Sequence, residues 1–322
     1  MHSEAIAHPN IALIKYWGNR DDDLRIPANG SISLTLGGLE NRMSVRFNEV
    51  SDADTLIING EPAGPGMLER ASRHLDLMRR EAGVESRAQV ESVTNFPLGA
   101  GIASSAAAYA ALTVAAGSAL GLELDQQALS RIARRGSGSA ARSIHGGFVE
   151  LLAGDTDQLS YAKQIAPMDH WKIIDLVVLV DENVKHTGST IGHALAAFSP
   201  LQEARVADAP RRLQACRQAI LDRDFESLAH IVERDSDMMH AIMMTSEPPL
   251  HFWSGDTLQI MAAVRDLRAQ DTAVCYTIDA GPNVHCLCLP ESENDALRAL
   301  TGDGKRAWKV LRAHPGSAAR VV

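Results

Sequence analysis

Gly99-Ala-Gly-Ile-Ala-Ser-Ser105 runs without a break into an alanine-rich stretch that ends at Gly121. Small residues let backbone N–H groups come close to an anion, and the N-terminus of a following helix adds partial positive charge. The hydroxyls of Ser104 and Ser105 are candidates to meet a phosphate or a divalent metal. Neither the P-loop spacing nor the Rossmann Gly-x-Gly-x-x-Gly is present, so a glycine turn before a tightly packed helix reads equally well from this segment alone. No charged residue occurs between Glu91 and Glu123, a span long enough to cross a bilayer. Its Ala, Ser, Gly and Thr content supplies little of the transfer energy that Leu, Ile, Phe and Val provide, which predicts a buried helix of a soluble protein.

Upstream, Ile11–Ile14 is an apolar run, and Ser31-Ile-Ser-Leu-Thr-Leu36 and Met43-Ser-Val-Arg-Phe47 alternate at period two, as half-buried strands do. Thr55–Gly60 reads as a strand ending in an Asn-Gly turn, Pro65–Ala82 as an amphipathic helix, and Val90–Phe96 as a strand. Downstream, Asp125 is placed to cap a helix running to Arg135, which Gly136-Ser-Gly-Ser139 breaks. Strands are expected from Gly146 and over Lys172–Val180. Helical patterns follow near 189–198, 205–223, 225–244 and 256–269. Ala273–Ile278 and Val284–Leu289 then close on the turn Asp279-Ala-Gly-Pro-Asn283. The mixture is α+β, and no Pro/Ser/Gly-rich linker divides it.

The chain has 322 residues, with 31 Lys plus Arg against 40 Asp plus Glu, a formal charge of −9. With 45% hydrophobic and 22% charged residues, general disorder is excluded. The acidic balance argues against coating a nucleic acid, while a few local cations still suffice for a small anion. The four cysteines, Cys216, Cys275, Cys286 and Cys288, form no C-x-x-C pair. With no charged leader before an apolar run, this reads as a cytoplasmic protein.

Several polar groups compete for a functional role. Arg131, Arg134 and Arg135 share one helical face and read chiefly as a solvated basic surface. Arg142 follows a glycine–serine loop and offers a planar fork to a carboxylate or phosphate. Lys15 ends an apolar strand and by itself reads as a surface lysine. Asp279 at a hairpin tip reads in isolation as a turn-capping residue. His285 faces the opposite side of its strand from Cys286 and Cys288, so a buried strand is favoured over a metal site. The methionines at 238, 239, 243 and 244 have the spacing of core filler.

Taken in order, these segments resemble the mevalonate diphosphate decarboxylase family of the GHMP kinase superfamily. The matching motifs are Pro9-Asn-Ile-Ala-Leu-Ile-Lys-Tyr-Trp-Gly18, Pro27-Ala-Asn-Gly-Ser-Ile-Ser-Leu-Thr-Leu36, Gly101-Ile-Ala-Ser-Ser-Ala-Ala107 and Arg134-Arg-Gly-Ser-Gly-Ser-Ala-Ala-Arg-Ser143. Gly146-Gly-Phe-Val-Glu150, Pro248-Pro249 and Tyr276-Thr-Ile-Asp-Ala-Gly-Pro-Asn283 complete the set. The resemblance implies a GHMP kinase fold. Residues 1–185 would form a ribosomal-protein-S5-like domain with the ATP phosphate loop, and 186–322 a C-terminal α/β domain carrying the catalytic Asp turn. The active site would lie in the cleft between them.

The resemblance also implies a homodimer that decarboxylates a 5-phosphorylated mevalonate with ATP and Mg²⁺, while the acidic balance and the Ala-rich segment's composition point to no nucleic-acid and no membrane partner. Gly99, Ala100, Gly101, Ala103, Ser104 and Ser105 would wrap the ATP phosphates, with Ser105 near the metal. Asp279 would be the catalytic carboxylate acting on the tertiary 3-hydroxyl, Lys15 its ammonium partner, and Arg142 the grip on the substrate carboxylate. Ser137, Ser139 and Ser189 match serines of the substrate site, and Tyr16 a phosphate-contacting tyrosine. Asn10 and Asn29 lie in matching motifs and are expected at the substrate too. A 3-kinase that phosphorylates without eliminating, and a GHMP-fold binding protein without catalysis, are the competing readings.

Two departures bear on the substrate. Asn19 stands where the family's Lys-Tyr-Trp-Gly-Lys has its second lysine, and Gly188-Ser-Thr-Ile-Gly-His193 ends in histidine where the family has methionine. Losing a desolvated charge-assisted contact costs about 1.5–3 kcal/mol, more against a diphosphate. The expectation is therefore mevalonate 5-phosphate giving isopentenyl phosphate, with the 5-diphosphate as alternative and Arg20 or His193 as possible replacements for the lysine.

Overall fold

The computed structural model describes residues 1–49, 51–97, 103–181, 189–301 and 308–322. Strands β1 (His2–Ala7) and β2 (Asn10–Ile14) open the chain, β3 (Asn19–Asp21) and β4 (Ile26–Pro27) form a small ribbon, and β5 (Ser31–Gly37) and β6 (Asn41–Asn48) follow. Then come β7 (Thr55–Ile58), β8 (Glu61–Pro62), α1 (Pro65–Ala82), β9 (Arg87–Thr94), α2 (Ser104–Ala119), α3 (Gln126–Gly136) and α4 (Ala140–Ser143). Strands β10 (Phe148–Leu151), β11 (Ala162–Ala166) and β12 (Ile174–Leu179) lead to α5 (Ser189–Leu195), α6 (Gln202–Asp222), α7 (Phe225–Met244) and α8 (Gly255–Arg268). The chain closes with β13 (Val274–Thr277), β14 (Val284–Cys288), α9 (Glu293–Thr301), β15 (Lys309–Pro315) and β16 (Arg320–Val321).

Among the described residues one sheet has the order β16-β1-β6-β9-β7-β8. Its β6 and β9 alternate buried and exposed side chains. The buried face, with Met43, Val45 and Val90, packs on Leu75 and Met78 of α1 and on the alanines of α2. Alanine is what lets α2 lie so close to the sheet: Ala107, Ala110, Ala111, Ala115 and Ala116 are fully buried. The helix is thus the buried one expected, and no described helix is long and apolar enough to cross a membrane.

The second sheet runs β11-β10-β5-β15-β12-β14-β13, with β2 also paired to β5. Here the half-buried expectation for Ser31–Leu36 fails: every residue of β5 is buried. The strand has neighbours β10 and β15 in the ladder and α6 packed against it, which leaves its polar side chains dependent on internal partners; Ser33 Oγ has none among the described residues. Ser31 Oγ accepts from Arg142, and the Thr35 hydroxyl donates to His145 O at 3.1 Å. Strand β15 pairs on one edge with β12 and on the other with β5. It stitches the strands that end by residue 166 to those that begin at residue 174 or later.

The expected solvated face of α3 is also corrected. Arg134 is fully buried; its Nε donates to Ser160 O at 3.0 Å, and its guanidinium also reaches Asp157 and Leu24 O. Arg131 meets the same Asp157 at 2.6 Å. The Asp125 cap is present, its carboxylate accepting Ala128 N–H at 2.7 Å.

Candidate active site

The apolar run of β2 delivers Lys15 to the interior, where buried polar groups clamp its backbone. Asp235 of α7 accepts Lys15 N–H at 2.7 Å, while Arg205 Nη2 and Asn29 Nδ2 donate to Lys15 O at 2.9 and 3.1 Å. Arg212 Nε in turn donates to Asp235 at 2.7 Å. Lys15 is therefore not a surface lysine: it is 1% exposed, and its Nζ donates to Asp279 Oδ1 at 2.6 Å.

Asp279 follows β13 on a turn tied down from three sides. Ser236 of α7 accepts Ile278 N–H at 3.0 Å, Thr257 of α8 donates to Pro282 O at 2.8 Å, and Asn283 accepts Val180 N–H at 2.7 Å. Burial pushes the Asp279 carboxyl up, but the Lys15 ammonium, with His285 and Arg142 behind it, outweighs this and leaves it below the usual carboxylate value. Burial pulls the Lys15 ammonium down, and Asp279 and Asp235 oppose that shift. The pair is an anion and a cation held in register, with Asp279 still partly open to the cavity.

Arg142 sits on α4 directly after the Ser137-Gly-Ser139 loop. Its Nη1 donates to Ser31 Oγ at 2.6 Å, and Nη2 and Nε reach Asn10 Oδ1 at 3.1 and 3.3 Å. Asn10 Nδ2 donates onward to Ser143 Oγ at 2.7 Å and Ser139 O at 3.1 Å. Burial brings Arg142 down to about 10, still charged at neutral pH.

Lys15, Asp279 and Arg142 converge on one cavity of about 420 Å³, whose wall also includes Tyr16, Ser137, Ser139, His193, Ala103, Ser104 and Ser105. The Ser105 and Ser137 hydroxyls are 3.2 Å apart, and those of Ser137 and Ser139 3.4 Å, a chain of hydroxyls from the start of α2 to the α3–α4 loop. Ala103 precedes the helix in a left-handed conformation, φ 47, and since Ala103, Ser104 and Ser105 line the cavity, the positive N-terminal end of α2 borders this space. Beyond it the cavity becomes apolar, lined by Met43, Leu56, Ile58, Met67, Val90 and Leu112.

Tyr16 stacks on the His193 ring at 4.2 Å and donates its hydroxyl to Asn19 Oδ1; burial pushes it up to about 12. Gly138 lies so close beneath that ring that a Cβ there would sit 2.2 Å from Tyr16 Cε1.

Three expected substrate residues stand elsewhere. Asn10 and Asn29 do not line the cavity; they hold Arg142 and the Lys15 carbonyl from behind. Asn19 also lies off the wall, its Nδ2 donating to Asp22 at 2.7 Å. Arg20 turns outward to Asp155 and to Gly154 O. Gly99, Ala100 and Gly101 lie outside the described residues, as does the side chain of Ser189.

Sequence reasoning missed Asp235, Arg205 and Arg212, which position Lys15, because charged residues on amphipathic helices normally signal solvent. It also missed Arg25 and Arg70, which line the cavity. His285 Nδ1 donates to Asp175 Oδ2 at 2.7 Å inside the sheet, and no described cluster of His, Cys, Asp and Glu could hold a metal.

A two-domain α+β chain with an acid, an ammonium and a guanidinium facing a helix N-terminus defines a protein of the GHMP-kinase type. Residues 7–162 match the diphosphomevalonate decarboxylase-like N-terminal domain, and 175–306 the mevalonate 5-diphosphate decarboxylase C-terminal domain. The diphosphomevalonate decarboxylase of Candida albicans is 37% identical over 318 residues, covering 93% of this chain and 88% of that protein. The structure of "MDDEF in complex with MVAPP, AMPPCP and Magnesium" superposes with a TM-score of 0.94 at 34% identity, covering 100% of this chain and 99% of the other. Mevalonate diphosphate decarboxylase from Staphylococcus aureus gives 0.94 and 34%, over 100% and 98%. The chain belongs to the diphosphomevalonate decarboxylase family.

Proposed function

We propose that this chain decarboxylates a mevalonate phosphorylated at C5, consuming ATP and releasing ADP, phosphate and CO₂. The Lys15–Asp279–Arg142 constellation facing the start of α2 supports this reading. The Asp279 carboxylate would orient the tertiary 3-hydroxyl and draw on its proton. Lys15 would lower the cost of charge developing on that oxygen, and Arg142 would hold the C1 carboxylate in its fork. Hydroxyls of Ser104 and Ser105 with the α2 N-terminus would receive nucleotide phosphates. Mg²⁺ fits there as an oxygen-seeking ion that arrives with the nucleotide, Ser105 Oγ being the protein ligand on offer. Bound Mg²⁺·ATP would supply the phosphoryl group that turns the 3-hydroxyl into a leaving group.

The relatives carry the diphosphate name, and that favours mevalonate 5-diphosphate giving isopentenyl diphosphate over the 5-phosphate expected from the sequence. A second reading keeps the 5-phosphate, giving isopentenyl phosphate. It is supported by Asn19, which brings no cation to its position and is bonded to acidic Asp22. Assays with each phosphorylated mevalonate, quantifying ADP, CO₂ and the organic product, test both. Equal CO₂ and ADP mean decarboxylation, ADP alone means a 3-kinase, and no turnover with retained nucleotide binding leaves a binding protein. The ratio of the two kcat/KM values then selects the substrate.

A further inference from the structure

Strands β3 and β4 pair with a register shift between Asn19 and Asp21, and Arg25 stands just before β4 with φ 50. Few residues other than glycine adopt this left-handed conformation. Arg25 lines the cavity together with Tyr16, Ser137 and Gly138. Three aspartates lie within four positions of it, yet none is its partner. Asp21 accepts Leu24 N–H at 2.8 Å, and Asp22 accepts from Asn19 at 2.7 Å. Among the described residues no hydrogen bond or ion pair engages the Arg25 guanidinium. By contrast, Arg205, Arg212 and Arg134 spend theirs on protein groups.

Its position along the cavity is equally informative. The Arg25 charge is felt at Tyr16, His74 and Tyr109, whereas the charges acting on Asp279 come from Lys15, His285 and Arg142. Arg25 thus shares the cavity wall with Tyr16 and Tyr109. The two replacements expected from the sequence bring no unengaged cation: Arg20 points away from the cavity, and His193, on its wall, already holds a backbone group. Arg20 is tied to Asp155, and His193 Nδ1 takes the Gly18 N–H at 3.0 Å. A five-donor fork with no protein acceptor, facing a cavity walled by serine and tyrosine hydroxyls, is suited to a phosphate.

We propose that Arg25 binds the terminal phosphate at C5 of the substrate, supplying the cation that Asn19 does not. This assignment rests on the reading that the cavity takes a phosphorylated mevalonate.

The test uses the full chain, Arg25→Gln and Arg25→Lys, with each phosphorylated mevalonate varied at saturating ATP and then ATP varied. Arg25→Gln should raise KM for the phosphorylated mevalonate about 10- to 100-fold, the loss of one charge-assisted contact. Its kcat should stay within about threefold and KM for ATP should hold, since the group meets neither the reacting atoms nor the nucleotide. Arg25→Lys should recover part of the KM. A change confined to KM for ATP or to kcat, or an unchanged substrate KM, overturns the assignment while leaving the proposed function intact. If the unmodified chain turns over neither compound, the proposed function fails instead. Calorimetric titration of mevalonate 5-phosphate into both proteins then decides: weaker binding by Arg25→Gln supports the assignment, and equal or absent binding overturns it.

Discussion

The Lys15 ammonium stands 2.6 Å from Oδ1 of Asp279, joining residues 264 positions apart in the chain. The carboxylate is anionic well below neutral pH because Lys15 outweighs its burial. Asp279→Asn keeps the shape, removes the charge and leaves a buried ammonium without its counter-ion. We expect kcat to fall by about 10³ or more with nucleotide affinity nearly unchanged, checked by steady-state kinetics and nucleotide titration. A variant retaining a tenth of the activity would remove Asp279 from the reaction.

Asn10 touches no part of the cavity but holds the Arg142 fork and the Ser139 carbonyl. Asn10→Ala should lower kcat/KM by about 10-fold or more, through lost orientation of Arg142, and cost about 1–3 kcal/mol of stability from buried donors left unpaired. Kinetics beside urea denaturation separates the two effects. Unchanged kcat/KM would show that Ser31 alone suffices to hold Arg142.

Gly138→Ala places a methyl group 2.2 Å from the Tyr16 ring, and the ring is pinned from above by His193. The loop or the ring must move, so KM for the phosphorylated substrate should rise about 10-fold or more with only a modest drop in Tm. Wild-type kinetics in this variant would show that the ring yields freely.

His74 and His240 give a pH dependence of stability. Burial lowers both to about 3, aided by Arg135 and Arg25 at His74 and by Lys15 at His240. The Thr113 hydroxyl donates to Tyr109 O at 2.6 Å, so His74 Nε2–H donates to Thr113 Oγ1 at 2.8 Å and Nδ1 has no partner for a proton. Below pH 6.5 the unfolded chain takes up these protons and the folded chain does not. Stability therefore falls as pH drops from about 6.5 toward 3, by at most about 1.4 kcal/mol per pH unit for each histidine. Urea midpoints between pH 7.5 and 4.5 measure the slope, and His74→Gln should shallow it. An unchanged slope in that variant would show that His74 does not titrate on unfolding.

Much of this was legible in the chain. Pro65–Ala82 and Phe225–Met244 announce themselves by helical periodicity, and Lys15, Asp279 and Arg142 by the motifs around them. The serine alternation of β5 misled because period two reports a pleat without reporting what covers its second face. Strand β15 was missed because its burial is irregular and its partners lie far away in sequence. Asp235 and Arg25 were silent for a related reason: a charged side chain has no local pattern that separates an internal brace or an inward-facing cation from a solvated one.

Strand β15 lies between β5 and β12, which gives the fold an order of assembly. During synthesis β5 and β12 leave the ribosome long before the ribbon that joins them, so the larger sheet stays in two pieces until Pro315 has emerged. A nascent chain arrested before Lys309 already contains Lys15 and Asp279 yet lacks the seam between their halves. Such a chain should be cut readily by protease where the finished protein resists.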